Sequence, residues 1–484
     1  MNHDYIFVQK KADAHFFPNI YMVGKIYSYT QGKLFGKTFG VTLALIEDGV
    51  MYWYASRASL AELGERCLQM LQKDPMLVAK FRRKFEKLAP NMLKFCKKIG
   101  QTELSKLSDK QLAKLMDEYL DKYENIYVWS EPVVLGLNDS LGAYLKDYLS
   151  KVSDKANMVS QYYNILISPV EESFVKREEE DLLRLAIKLE SGELKNKMSA
   201  LENHAGKYGW IPYDYGVYVW DEKYFSKVLE KLLQEGNSKE KLFASRKYFK
   251  DLPAKQNELV RRLKIDVRHQ KLFKAMRDGA FLLDYKKEIF TQAHWQINKL
   301  LVEIAQRHKV DKALIQYYLP HELKKALNTG KYLSQSTLRR RYGLALARWD
   351  KDKVELFEGE EGRKYLKQYL LKEGAAQTKL DGVIASAGKY LGPVKILHNI
   401  AEIAKMKKGD VLVAAMTSPE YVPAMRLAGA IITDEGGVMC HAAIVSRELG
   451  IPCIVGTRDA TKILQDGEIV EVNANHNSVR IIKQ

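Results

Sequence analysis

The apolar residues of this chain change spacing twice along its length, and a chain with two such changes cannot form one uniform fold. Up to residue 56, apolar and polar residues alternate in short runs (YIFV, NIYMVGKIYSYT, GVTLALIEDGVMYWYA), with glycines at 32, 36, 40 and 49 falling between them. That spacing predicts strands and hairpins. From 57 to 371 the period is helical: LAELGERCLQMLQ, DKQLAKLMDEYLDKYENIYVW and FTQAHWQINKLLVEIAQRHKV repeat apolar residues at i, i+3, i+4 and i+7. Within it, 338–357 reads as a short β segment before a last helix. KEGAAQTKLDG at 372–382 reads as a linker. Beyond it come short apolar runs separated by glycines (PVKIL, GDVLVAA, GAIIT, CIVG, IVEV), with one clear helix, HAAIVSRELG. The expected fold class is multidomain α+β. It has a β-rich segment at 1–56, a mainly helical substrate or partner domain at 57–371, and an α/β domain at 383–484.

The 484 residues exceed what one core organises. No run approaches 18 apolar residues, so no membrane span is expected, and MNHDYIFVQKKADAHF lacks the features of a signal peptide. Four cysteines without CxxC spacing indicate neither a disulfide framework nor a zinc ribbon, so a cytoplasmic location is expected. The net charge of +17 lies almost wholly upstream, because residues 376–484 hold 12 basic and 11 acidic residues. Clusters such as KFRRKFEKL and LRRRYG read first as solvated helix faces and second as an anion-attracting surface. No nucleic-acid-binding motif accompanies them, so nucleic acid is not an expected partner.

The densest chemistry lies in TDEGGVMCHAAIVSRELGIPCIVG, residues 433–456. A strand ending at Thr433 leads into a Gly-Gly loop, and a helix then opens at His441 and ends at Gly450 ahead of Pro452. The imidazole therefore sits where free backbone N–H groups and the helix dipole favour a phosphate. A neutral ring nitrogen there is a competent nucleophile toward phosphorus. By itself this is a plausible anion site, and a histidine at a helix start is more often structural. Arg447 either approaches the phosphate or pairs with Glu448 or Asp434.

These residues resemble the swivelling phosphohistidine (mobile) domain of phosphoenolpyruvate-utilising enzymes, such as phosphoenolpyruvate synthase and the rifampicin-phosphotransferase-like proteins. Gly436, Gly437, His441, Ala442, Ala443, Arg447, Glu448, Leu449, Gly450 and Pro452 match the family run. GVIASAGKYLGPVKIL, GDVLVAAMTSPEYVPAM and DATKILQDGEIVEVNA match its flanks. The resemblance implies a phosphotransferase component with His441 as the catalytic phosphoryl acceptor, exposed at its helix start. It further implies Gly436, Gly437 and Arg447 around the phosphate, on a domain with few contacts to the rest of the chain. Many members carry threonine two residues before the histidine; here that residue is Met439. HAGKYGWIPYDYGVYVW is similar, more weakly, to the family's substrate-side helical domain. On that basis Tyr208, Trp210, Tyr213, Tyr215 and Trp220 are candidate stacking residues, with core packing as the alternative.

Family enzymes phosphorylate the histidine through an ATP-grasp domain or a TIM barrel, and the helical pattern of the first 370 residues accommodates neither. GKLFGKT at 32–38 misses the GxxxxGK(S/T) spacing by one residue, and HELKK at 321–325 lacks the second histidine of a zinc protease. The expected partner is therefore a separate ATP-grasp protein that holds Mg2+ with ATP, and the expected acceptor is a small molecule; no metal is expected on this chain. The alternative is a non-catalytic phosphocarrier or regulatory protein whose helical domain binds a partner.

Overall fold

The computed structural model describes residues 5–11, 20–155, 158–213, 219–369, 380, 382–417, 421–438 and 440–482. The chain folds as two compact units, one of residues 1–140 with 289–376 and one of 141–288 with 377–484. The helices expected between 57 and 371 thus divide between the two units. Of the linker, only Leu380 and Gly382 lie among the described residues.

The first unit is built on a five-stranded antiparallel sheet of order β1-β3-β2-β4-β5: Tyr5–Lys11, Val50–Ser56, Thr42–Glu47, Leu344–Asp350 and Lys353–Glu358. β2 and β3 form a tight hairpin whose turn residues Asp48 and Gly49 both take positive φ, matching the right-handed twist of the strands. Residues 344–358 return from far along the sequence to extend this sheet. One expectation fails: Tyr21–Lys25, Ile26–Thr30 and Gly32–Phe35 are helical turns rather than strands. β-branched and aromatic residues suggested a strand, yet the buried residues Ile20, Val23 and Tyr27 follow helical spacing. Gly24 admits the Trp349 ring, which would stand 2.3 Å from an added Cβ. Leu338–Gly343, also expected as β, ends the helix Gln335–Gly343.

The second unit joins helices to a seven-stranded sheet. Its helices include α1 (Phe174–Glu190), α2 (Lys197–Tyr208), α3 (Ser238–Arg262) and residues 267–288 of α4 (Val267–Arg307). Ser173 caps α1, its hydroxyl accepting from Lys176 N at 3.1 Å. The sheet strands are β6 (Val383–Ser386), β7 (Lys389–Leu397), β8 (Val411–Ala414), β9 (Ala430–Thr433), β10 (Cys453–Val455), β11 (Ile469–Asn473) and β12 (Ser478–Ile481). Their order is β12-β11-β7-β8-β9-β10-β6, with β7 through β10 parallel. Alternation along the strands fills both faces. Leu412, Ile431 and Cys453 pack into one core, and Val411, Val413, Ile432 and Ile454 into the other. The helices α5 (Val422–Leu427), α6 (His441–Leu449) and α7 (Ala460–Ile463) connect or cover these strands.

A candidate phosphohistidine site

The loop before His441 leaves the carboxyl end of β9, the edge where parallel sheets place their ligands. It is anchored on both sides. Asp434 N and Glu435 N donate to the Ala414 and Ala415 carbonyls at 3.1 and 2.9 Å, and Thr457 N and Arg458 N donate to the Thr433 and Asp434 carbonyls at 3.0 and 2.7 Å. The Asp434 carboxyl accepts from Thr461 N at 3.0 Å and from the Thr461 hydroxyl. Burial pushes its pKa up against the lowering effect of those bonds. Gly436 is required by the backbone: its φ is +105°, and an added Cβ would stand 2.7 Å from Cys440 Sγ. Gly437 closes the next turn, its carbonyl accepting from Cys440 N at 2.9 Å.

α6 begins at His441 and ends at Gly450 in the left-handed conformation, as its sequence requires. Its N-cap residue is Cys440, and the backbone N–H groups of Ala442 and Ala443 face the Cys440 sulfur. Burial raises the Cys440 thiol pKa against the lowering effect of those N–H groups. The imidazole is half-buried rather than exposed, and its Nδ1 lies 3.0 Å from the Thr417 hydroxyl. Thr417 is buried in the loop after β8. The sequence did not single it out; the TSP triplet inside the family-like GDVLVAAMTSPEYVPAM run was the available signal. A hydroxyl at the ring thus comes from 24 residues upstream, whereas Met439 lies outside the described residues.

The other candidates fall elsewhere. Arg447 donates from Nη1 to the Ala385 carbonyl of β6 at 3.2 Å, on the last turn of α6. Its expected partners Glu448 and Asp434 are engaged by Ser173 and Thr461. Tyr208, Trp210, Tyr213 and Trp220 are buried. The Tyr208 hydroxyl donates to Asp181 at 2.7 Å, Trp210 Nε1 donates to the Lys207 carbonyl at 2.7 Å, and the Trp220 ring stacks on Tyr224 at 4.6 Å. Trp220 N also donates to the Gly209 carbonyl at 2.9 Å, and the four rings lie in the helical core. Tyr215 lies outside the described residues.

Within this unit α5 and α6 meet α1 and its cap residue through polar side chains. The Ser173 hydroxyl that caps α1 donates to Glu448 Oε2 at 2.8 Å. Arg426 of α5 reaches Glu178 Oε2 at 3.4 Å, and the other oxygen of Glu178 meets His204 Nε2 at 3.1 Å. Burial pushes the Glu448 carboxyl up to about 7 against the lowering effects of Ser173 and Lys176. Among the described residues no cluster of three metal-ligating side chains occurs. No helix among them is long and apolar enough to cross a membrane.

Comparison with known proteins agrees with this geometry. Residues 406–477 match the family described as PEP-utilising enzyme, mobile domain. A probable phosphoenolpyruvate synthase of Archaeoglobus fulgidus is 48% identical over 117 residues, 24% of this chain and 16% of that protein. The phosphoenolpyruvate synthase of Pyrococcus furiosus is 44% identical over 145 residues (27% and 18%), and that of Escherichia coli 54% over 82 residues (17% and 10%). The chain thus spans less than a fifth of the length of each of these relatives. The segment that carries Thr417, the glycine loop and His441 is a mobile domain of the phosphoenolpyruvate-utilising enzyme family.

Proposed function

We propose that this chain is one half of a split phosphotransferase, synthase-like or rifampicin-phosphotransferase-like, in which His441 carries a phosphoryl group to a small-molecule acceptor. The observation that carries the reading is His441 at the start of α6, after an anchored glycine loop, with its ring tied to Thr417 inside a mobile-domain match. When Nδ1–H donates to the Thr417 oxygen, Nε2 keeps its lone pair, and that tautomer is the one the chemistry needs. The Nε2 lone pair then attacks the phosphorus of the donor while the bond to the leaving oxygen breaks. In the second half the acceptor oxygen attacks, and the N–P electron pair returns to the ring. The positive end of the α6 dipole favours the anion throughout. Mg2+ with ATP would be held by a separate ATP-grasp protein, which neutralises phosphate charge in the first transfer.

Labelling tests this reading. The chain mixed with an isolated ATP-grasp protein and γ-labelled ATP should gain an acid-labile, base-stable phosphate, because protonation turns a ring nitrogen into a good leaving group. His441→Ala should lose all label with little change in stability. Label that persists in that variant, or label stable to acid, rejects the assignment.

A further inference from the structure

The helix Leu77–Gln101 of the first unit holds eight basic residues and one acidic residue, a net +7 in a chain of net +17. Seven of these cations, Lys80, Arg83, Lys84, Lys87, Lys94, Lys97 and Lys98, are exposed. At about 100° per residue they fall within an arc of about 140°, and from Lys80 to Lys98 the stripe runs about 27 Å. The one carboxylate, Glu86, lies beside the arc and is taken by Arg82 at 3.0 Å. The opposite face is buried through Val78, Phe81, Phe85, Met92, Phe95 and Ile99.

A face that serves only solvation mixes its charges. The neighbouring helix Asp109–Tyr127 does so, with three basic and five acidic residues. Here like charges stand four apart at Lys80 and Lys84, Arg83 and Lys87, and Lys94 and Lys98, and each such pair disfavours the helix. Lys80 reaches Asp74 at 2.6 Å, Lys84 stands over the Trp129 ring at 5.7 Å, and Arg83 Nε donates to the Ala79 carbonyl at 3.3 Å. Among the described residues, Arg83, Lys87, Lys94, Lys97 and Lys98 have no carboxylate partner. Five charges on one face are thus left to solvent ions or to an anionic partner.

The chemistry of the stripe selects among such partners. Protein interfaces are depleted in lysine and enriched in aromatic residues, whereas no exposed position of this helix is aromatic. A membrane-surface helix inserts its apolar face, and here that face is spent inside the unit. Repeated lysine point charges match a row of phosphates, and each contact releases a condensed counterion. We propose that this stripe binds the phosphate backbone of a nucleic acid without regard to base sequence. The missing nucleic-acid-binding motif bears only on sequence specificity, because phosphate contacts position a protein and base contacts specify. The surface is independent of His441 and its chemistry.

Fluorescence anisotropy on the full chain tests this, with short labelled DNA duplexes of two unrelated sequences titrated at rising salt. Both should bind within about two-fold of each other, and log K should fall against log salt with a slope of about −4.5, the value for five phosphate contacts. Lys87→Gln with Lys94→Gln should reduce that slope by about 2 for both duplexes. Lys353→Gln with Lys364→Gln removes the same charge from exposed positions outside this helix and should leave the slope unchanged. His441→Ala should leave binding intact. All four lysines are exposed, so the variants keep the fold. No saturable binding at low salt, a preference above about ten-fold for one sequence, or equal losses in the two lysine variants overturns the proposal. So does tighter binding of poly-glutamate, which stands in for an acidic protein, or of phosphatidylserine vesicles.

Discussion

At the scale of single residues, the site depends on a partner the sequence separates by 24 positions. Thr417 touches Nδ1 of His441, and a ring nitrogen held by a hydrogen bond fixes which nitrogen reacts. Thr417→Val keeps the volume and removes the bond. Labelling of His441 should slow about ten-fold, the scale typical of losing such an orienting contact. Thr417→Ser should restore the rate. An unchanged rate in the valine variant would make Thr417 a packing residue. Arg447 shows the reverse case: one motif suggested a phosphate contact, and the fold turns one of its nitrogens to a backbone carbonyl of β6. LRRRYG likewise looked like a charge cluster, yet Arg341 is buried, donating to both oxygens of Glu322 at 2.6 and 2.8 Å and to Glu358 at 2.7 Å.

Among elements, the loop from β9 to α6 is the most constrained. Its path needs a left-handed Gly436, packed on Cys440 and close beneath Gly456, where an added Cβ would meet the Gly436 carbonyl at 2.8 Å. Gly436→Ala should destabilise the second unit by about 1–3 kcal/mol, from backbone strain together with the clash on Cys440. Denaturant titration would measure it. Adding Cys440→Ala should recover only part, since the thiol clash goes and the φ penalty stays. Full recovery would mean that the clash alone mattered. This element was legible in advance because glycine pairs, a helix opening and a Gly-x-Pro ending are local signals. The turns at 21–35 were not. Their β-like composition was overridden by a buried stripe and by Trp349, which arrives from the other end of the sequence.

For the molecule as a whole, joining 141–288 to 377–484 in one unit partly buries Glu448 beside Ser173, and that carries a pH signature. Its carboxyl titrates at about 7 against an ordinary 4.5, so the folded state holds the proton more tightly than the unfolded chain. That contribution to stability is complete below about pH 4.5 and is lost as pH rises through about 7. Glu448→Gln keeps an acceptor for Ser173 and removes the ionisation. It should stabilise the second unit by up to about 3 kcal/mol at pH 8 and by almost nothing at pH 4. Thermal unfolding at the two pH values checks this, and equal gains at both would assign the effect to packing. The sequence by itself determined the α/β character of 383–484, the glycine loop and His441 at a helix start, because strand alternation, φ > 0 and helix caps are set by neighbours in the chain. Only the tertiary structure decided that residues 344–358 complete the N-terminal sheet. It alone brought Thr417 to the imidazole, buried Tyr208, Trp210, Tyr213 and Trp220 and set Glu448 beside Ser173. Each of these is a contact between distant residues, fixed by which buried faces and polar groups can satisfy one another in space.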